Sequence, residues 1–262
     1  MPDFKVGVAL GAGAARGLAN IGVLQVLEEH KIPIHAVAGT SAGALIGVLY
    51  AAGADLKLLA KMADEMVWND LVSFTITKWG LVSSDKIHQM MRLLTQEKRF
   101  EDLNIPTAVV ATDLATGKEV VIDSGLAADG AQASMSIPGI FVPVQLNGRT
   151  LVDGALVDRV PVQVCRNLGA DFVIAVDVGV GPLRSKLRNL SDVIINSIDI
   201  LQHQVVKSNP VGGDIVLNPD LGNVTFTQLN RAGEIIEKGR EVALANIDEI
   251  KRLIGLKLDS YS

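Results

Sequence analysis

Short apolar runs alternate with helical patterns along nearly the whole chain, and this alternation restricts the fold more than any other feature. Lys5 to Leu10 reads as a strand opening directly onto Gly11. A helix from about Gly17 to His30 follows, with Leu18, Ile21, Leu24, Val26 and Leu27 on its apolar side. His35 to Ala38 is a second short strand, and Ala44 to Ala52 reads as a buried helix. Asp55 is placed to cap a further helix with Leu58, Leu59 and Met62 inward, and Ser84 or Asp85 starts one that runs to about Gln96. Thr107 to Ala111, ending at Thr112-Asp113, and Glu119 to Asp123 are strands joined by the turn Ala115-Thr116-Gly117. Asp171 to Asp177 and Asp214 to Leu217 are the last strands, and long helices are expected over Leu187 to Val206 and Arg231 to Ile254. Apolar strands separated by helices predict a mostly parallel sheet covered on both faces. In such sheets the ligand site lies beyond the carboxyl ends of the strands. The Gly11 loop, residues 39–43, Asp113 and Asp177 all fall there.

The 262 residues are 48% hydrophobic and 20% charged, enough apolar surface for a sizeable core. With no Pro- or Ser-rich linker, charge block or repeat, residues 1–262 read as a single domain. Its core is expected over about 5–165, with further strands and helices to about 255. A net charge of -5 argues against a nucleic-acid partner but leaves a transient membrane contact open, since a local patch can act where the total cannot. The single cysteine, Cys165, rules out an internal disulfide and reads as a small buried hydrophobe in the helical stretch Val162 to Leu168. Met1 to Lys5 lacks a basic region followed by an apolar core, so the expected location is cytoplasmic, with peripheral membrane contact open. Ala36 to Ala54 carries no charge and is long enough, at roughly 20 residues, to span a bilayer. Its four glycines and Thr-Ser pair fit a strand, a turn and a buried helix better.

Gly39-Thr40-Ser41-Ala42-Gly43 matches the G-x-S-x-G nucleophile elbow, a sharp strand-to-helix turn that exposes a serine hydroxyl. The flanking strand and helix supply the context the motif needs. Gly11-Ala12-Gly13-Ala14-Ala15-Arg16-Gly17 joins the first strand to the first helix. Its backbone N–H groups suit either a dinucleotide pyrophosphate or an oxyanion. The dinucleotide pattern fails twice: Arg16 stands where the third glycine belongs, and no acid ends the second strand. A cation beside a helix N-terminus is mildly unfavourable. Arg16 therefore either orients the loop, meets an anionic group, or is a surface arginine paired with a carboxylate.

A serine nucleophile needs a proton acceptor, usually histidine. His30 lies at a helix end, His35 at the wrong end of the elbow strand, and His88 and His203 in helical stretches beside polar residues, where solvated side chains are expected. None follows a late strand, as the order Ser–acid–His would require, and no pair has metal-ligand spacing. A carboxylate can serve instead, and Asp113, Asp153 and Asp177 all follow or end apolar segments. Spacing alone does not choose among them.

Taken together these residues resemble the patatin-like phospholipase family in its compact bacterial form. The resemblance runs in order through the glycine-rich loop with Arg16-Gly17, Gly39 to Gly43, Ala111-Thr112-Asp113-Leu114, Ser136-Ile137-Pro138-Gly139-Ile140-Phe141 and Asp153-Gly154-Ala155. It implies a three-layer α/β/α sandwich with a mostly parallel central sheet, of the FabD/lysophospholipase-like type. It also implies a serine lipid acyl hydrolase with Ser41 as nucleophile, Asp153 as its partner in a dyad, and an oxyanion hole on the backbone of the glycine-rich loop (Gly11, Ala12, Gly13, Ala14, Arg16 and Gly17), with donors around Ala12, Gly13 and Ala14. Gly39 and Gly43 shape the elbow, while Pro138, Gly139, Gly154 and Ala155 belong to the supporting motifs. No cofactor and no metal are implied; the partner is an acyl lipid or ester substrate, with homo-oligomers open. Asp153 should then be shielded from solvent, with its pKa raised by burial, and within hydrogen-bond reach of Ser41.

The chain departs from the family at Ala12 and Ala14, where glycine is usual, and alanine disfavours positive φ. That departure motivates an alternative, a weakly active or inactive relative that binds an acyl ligand or a regulatory partner. Trp68 and Trp79, with Leu71, Val72, Phe74 and Ile76, suit a substrate flap, a membrane-touching surface or a packed connection.

Overall fold

The computed structural model describes residues 4–66, 73–74, 80–183, 187–208 and 211–260. The strands are β1 (Val6–Leu10), β2 (Ala36–Thr40), β3 (Ser73–Phe74), β4 (Gly80–Ser83), β5 (Thr107–Asp113), β6 (Glu119–Ile122), β7 (Gly139–Phe141), β8 (Val144–Leu146), β9 (Arg149–Asp153), β10 (Phe172–Val176) and β11 (Ile215–Leu217). The α-helices are α1 (Ala19–Glu29), α2 (Ala42–Ala51), α3 (Leu56–Glu65), α4 (Asp85–Leu94), α5 (Ala127–Ser134), α6 (Val162–Asn167), α7 (Leu190–Ser208) and α8 (Ala232–Ser260).

Five parallel strands form the body of the main sheet in the order β11-β10-β1-β2-β5, and antiparallel β9 and β8 continue it. A smaller sheet joins β3, β4 and β7. The two faces of the main sheet are chemically unequal. Val6, Val8, Leu10, Val37, Val109, Phe172, Ile174 and Val176 point to one face, where they join the larger core with residues of α1, α2, α3 and α8. The alternate positions Ala9, Ala36, Ala38, Ala108, Val110, Val173 and Ala175 are mostly small and pack under the short helix α6, with Cys165 at its centre. Side chains alternate with period two along a strand. One face therefore holds a thick helical layer and the other lets a helix approach closely.

The mostly parallel sheet and its helical cover follow the sequence expectation, with differences in detail. The first helix opens as a 3-10 turn at Ala14–Leu18 before α1 begins. Asp55 caps α3 through bonds from the N–H groups of Lys57 and Leu58, but Leu58, expected inward, is 55% exposed. The cap sets the phase of the helix, which buries Leu56, Leu59 and Ala63 at spacings of three and four. The β8–β9 hairpin stands outside the expected strands. It closes at Asn147-Gly148, both at positive φ (49° and 75°), a pairing typical of two-residue hairpin turns. Residues 67–72 and 75–79, including Trp68, Leu71, Val72, Ile76 and Trp79, lie outside the described residues, as does the Phe74 side chain.

Candidate active site

Strand β2 runs along β5 as far as the pair Thr40–Val110, and β9 comes along β5 from the opposite direction to end on the pair Asp153–Ala111. β6 pairs with the other edge of β5, so β2 and β9 share one edge. Their carboxyl ends therefore meet at adjacent positions of a single strand. Ser41 leaves β2 at φ 55°, ψ -119°, a sparsely populated conformation that turns the chain sharply into α2. Its Oγ donates to Asp153 Oδ2 at 2.7 Å. Ser41 and Asp153 are 5% and 4% exposed.

The strained turn is held from below. Ser134 Oγ accepts the Ser41 N–H at 2.9 Å and donates to the Val110 carbonyl at 2.6 Å. Asp153 is fixed by its own N–H to Ser136 O, by Thr112 Oγ1 donating to its carbonyl, and by the Ala155 N–H donating to Oδ1. A Cβ on Gly154 would stand 2.1 Å from Val110 O, so the chain leaves β9 in a way only glycine permits. Gly39 is the fourth residue of β2 and Gly43 the second of α2. Burial pushes the Asp153 carboxyl up to about 6, against the pull of the bonds from Ser41 and Ala155 and the charge of Arg159. Asp153 is thus shielded, raised in pKa and in contact with Ser41, the geometry expected from the sequence.

The glycine-rich loop is anchored on both sides. The Gly11 N–H donates to Val176 O, and Asn20 Nδ2 donates to Gly11 O. The Ala12 N–H donates to Arg159 O at 2.9 Å, so it is spent on the scaffold and cannot serve an oxyanion. This corrects the expectation for Ala12. Among the described residues the N–H groups of Gly13 and Ala14 have no hydrogen-bond partner, nor has that of Ala42, which follows the serine. Gly13 and Ala14 line the same pocket as Ser41 and Asp153. Ala14 takes φ 47°, the strain expected of alanine in a glycine position, while keeping its donor. Arg16 is buried rather than a surface arginine. Its Nε donates to Val178 O and its Nη1 to Gly222 O and Val224 O, which ties the loop and Gly17 to the segments beyond β10 and β11. Burial, and then the charge of Arg159, hold its pKa below the ordinary arginine value.

Arg159 and Ser134 are the residues that sequence reasoning missed. Arg159 Nη2 donates to Ala12 O and to Asp177 Oδ1, so one buried side chain and its own carbonyl hold both polar groups of Ala12. The sequence signal was Asp177 itself, a strand-end acid without an evident partner. Asp113 instead accepts the Ala115 N–H and anchors its turn. Neither His88 nor His203 is free in solvent: His88 pairs with Asp129 at 2.7 Å, and His203 Nε2 lies 3.1 Å from Gly181 O. Among the described residues no group of three or more His, Cys, Asp or Glu side chains is placed to hold a metal ion.

Two pockets meet at Ser41. One is the more polar of the two, with Arg16, Asp153, Arg159 and Asp199 among apolar side chains such as Leu156, Ile198 and Phe226. The other is a cleft of about 150 Å³, open to solvent and lined almost wholly by apolar side chains such as Leu18, Leu45, Leu59, Met62, Met90 and Phe141. Ile137 lines both, and Pro138 the polar one. Gly139, at φ 76°, turns the chain between them.

The class of protein is an α/β fold with a helix-covered sheet, in which a serine on a strand-to-helix elbow is buried against a carboxylate. The sequence profile of the patatin-like phospholipase family matches residues 8–166, and the chain belongs to that family. It is 35% identical over 197 residues to an uncharacterized NTE family protein of Mycobacterium bovis, covering 73% of this chain and 55% of that one. It is 35% identical over 183 residues to lysophospholipase NTE1 of Candida glabrata, covering 66% of this chain and 10% of that one. The chain thus spans about half of the mycobacterial relative and a small part of the fungal one. Among solved structures, VipD from Legionella pneumophila shares the fold at TM-score 0.58 and 15% identity, over 95% of this chain and 67% of that one. The type III effector protein ExoU does so at TM-score 0.52 and 13% identity, over 95% and 53%.

Proposed function

We propose that this chain hydrolyses acyl esters of lipids, with Ser41 as nucleophile and Asp153 as base. The observation that carries the reading is the 2.7 Å contact between Ser41 Oγ and Asp153 Oδ2 at the point where the apolar cleft opens. An ordinary aspartate, with a pKa of about 3.9, is a weak base at neutral pH. Burial brings Asp153 to about 6, closer to the pH at which it must take a proton.

Asp153 accepts the Ser41 proton as Oγ attacks the acyl carbonyl. The oxyanion meets the free N–H groups of Gly13, Ala14 and Ala42, donors already in place before charge develops. The leaving alcohol takes the proton from Asp153 as the ester C–O bond breaks. Water then gives a proton to Asp153 and attacks the acyl-enzyme. Ser41 recovers its proton as the free acid departs. The acyl chain lies in the apolar cleft, and the polar pocket receives the alcohol side. The fungal relative is named a lysophospholipase, which agrees with this class of substrate.

The test is release of fatty acid from mixed micelles of a diacyl phospholipid and a monoacyl lysophospholipid. The native protein should release it, and Ser41→Ala should fall by about a thousandfold or more. Retained hydrolysis in Ser41→Ala would remove Ser41 from the chemistry. Fatty-acid binding without hydrolysis would favour the binding-protein alternative.

A further inference from the structure

The Ala12 carbonyl and the Gly13 N–H belong to one peptide plane, in which a trans bond points them in opposite directions. Whatever holds the Ala12 carbonyl therefore aims the Gly13 N–H. That donor has no partner among the described residues, and Gly13 lines the pocket that contains Ser41. The plane has little stiffness of its own, because Gly13 carries no Cβ to restrict rotation on its side. A peptide that can turn over between Ala12 and Gly13 needs a tether from outside the loop.

Arg159 occupies the place of that tether. Its Nη2 donates to Ala12 O at 3.4 Å and to Asp177 Oδ1 at 3.1 Å, and its Nη1 donates to Gln202 Oε1 at 3.3 Å. A planar guanidinium meets three acceptors at fixed angles, which a lysine ammonium on a flexible stem does not. Asp177 is fixed in turn by the Gly179 N–H, which donates to the same Oδ1 at 2.9 Å. The Arg159 and Asp177 side chains are 7% and 9% exposed. A buried ion pair adds little net stability over apolar side chains of the same volume, so the use of this one lies in what it holds. Arg159 also ends the tight turn that follows Asp153, in which the N–H groups of Val157 and Asp158 donate to Gly154 O. Gln202 Nε2 reaches back to Ala155 O at 3.5 Å, and the Ala155 N–H donates to Asp153 Oδ1. One side chain thus connects the turn of Asp153 to the glycine-rich loop.

We propose that Arg159 is a positioning residue for ester cleavage: by holding the Ala12 carbonyl it keeps the Gly13 N–H turned toward the oxyanion and the loop in register with Asp153. The proposal rests on the acyl-ester reading above and adds to it a residue that acts through the loop rather than on the substrate. The backbone bond from the Ala12 N–H to Arg159 O does not depend on the side chain. A substitution at Arg159 therefore frees the peptide between Ala12 and Gly13 while the one before it stays anchored.

The test is steady-state hydrolysis of a water-soluble short-chain ester by the full chain, with kcat and KM determined separately and urea unfolding run on each variant. Arg159→Lys keeps the charge but not the planar fork. It should lower kcat by about a hundredfold, the loss expected of one misdirected oxyanion donor, with KM changed by less than about twofold. The double variant Arg159→Met/Asp177→Asn leaves no unpaired charge buried and should show the same split between kcat and KM. A native kcat in either variant overturns the proposal. So does a loss in which kcat falls and KM rises together in step with the urea midpoint, since Arg159 would then support the fold alone. A native protein that cleaves no ester removes the catalytic reading and the proposal with it, an outcome distinct from an active native protein whose variants are equally active.

Discussion

At the scale of single residues, the site turns on one buried carboxylate. Asp153 is raised from 3.8 to about 6, chiefly by burial. The activity limb on the acid side of the kcat/KM profile should therefore lie near pH 6, with activity rising as Asp153 loses its proton. The same shift has a cost in stability. The native carboxyl keeps its proton to higher pH than the unfolded chain does, so this contribution is most favourable below the unfolded value and falls as pH rises through about 6. Asp158 is also raised to about 6, mainly by burial, so the comparison must be with Asp153→Asn. Urea unfolding at several pH values should show the native protein losing stability relative to that variant between about pH 4 and 6. A constant difference would mean that Asp153 does not titrate there. Ala14 offers a second residue-scale test. At φ 47° it carries strain that glycine would relieve, and its N–H is present with either side chain. Ala14→Gly should raise stability by up to about 1 kcal/mol with ester turnover kept; loss of turnover would show that the methyl group matters to the loop. Ser41 was legible because the elbow motif and its flanks are specific, whereas spacing left Asp113, Asp153 and Asp177 open and only the family resemblance singled out Asp153. Arg159 and Ser134 were not legible, because the main-chain groups they hold in the loop and the elbow lie 147 and 24 to 93 positions away in sequence.

Individual elements show which local signals suffice. Strand β1, the elbow strand, β5 and β10 were legible as apolar runs because they are buried on both faces. The β8–β9 hairpin is exposed in part and lacks such a run, yet Asn147-Gly148 carried its turn signal in plain view. This hairpin brings Asp153 to the end of β2, beside Ser41. The long helices were legible from periodicity, but the tightness of their packing was not. A Cβ on Gly239 would stand 2.0 Å from Ala19 O, and one on Gly22 2.0 Å from Ile236 O, so α1 and α8 touch backbone to backbone. Gly239→Ala should lower the urea-unfolding free energy by about 2 kcal/mol or more. A change within about 0.5 kcal/mol would show that the two helices separate without cost.

At the scale of the whole molecule, the arrangement places Ser41 where the more polar pocket and the apolar cleft meet. The apolar cleft draws on α1, α2, α3 and α4. The polar pocket draws on the first loop, the turn after β9, the segment after β10 and α7. Neither pocket belongs to one stretch of sequence, which is why the motifs marked Ser41 and its surroundings and gave no view of the shape of the pockets. The central claim is that this assembly makes Ser41 a nucleophile. Its most direct measurement is intact-mass analysis of the native protein and Ser41→Ala after exposure to a fluorophosphonate, with the adduct located by peptide mapping. The account predicts a single adduct on Ser41 in the native protein and none in Ser41→Ala. An unmodified native protein, or an adduct that persists in Ser41→Ala, would contradict it.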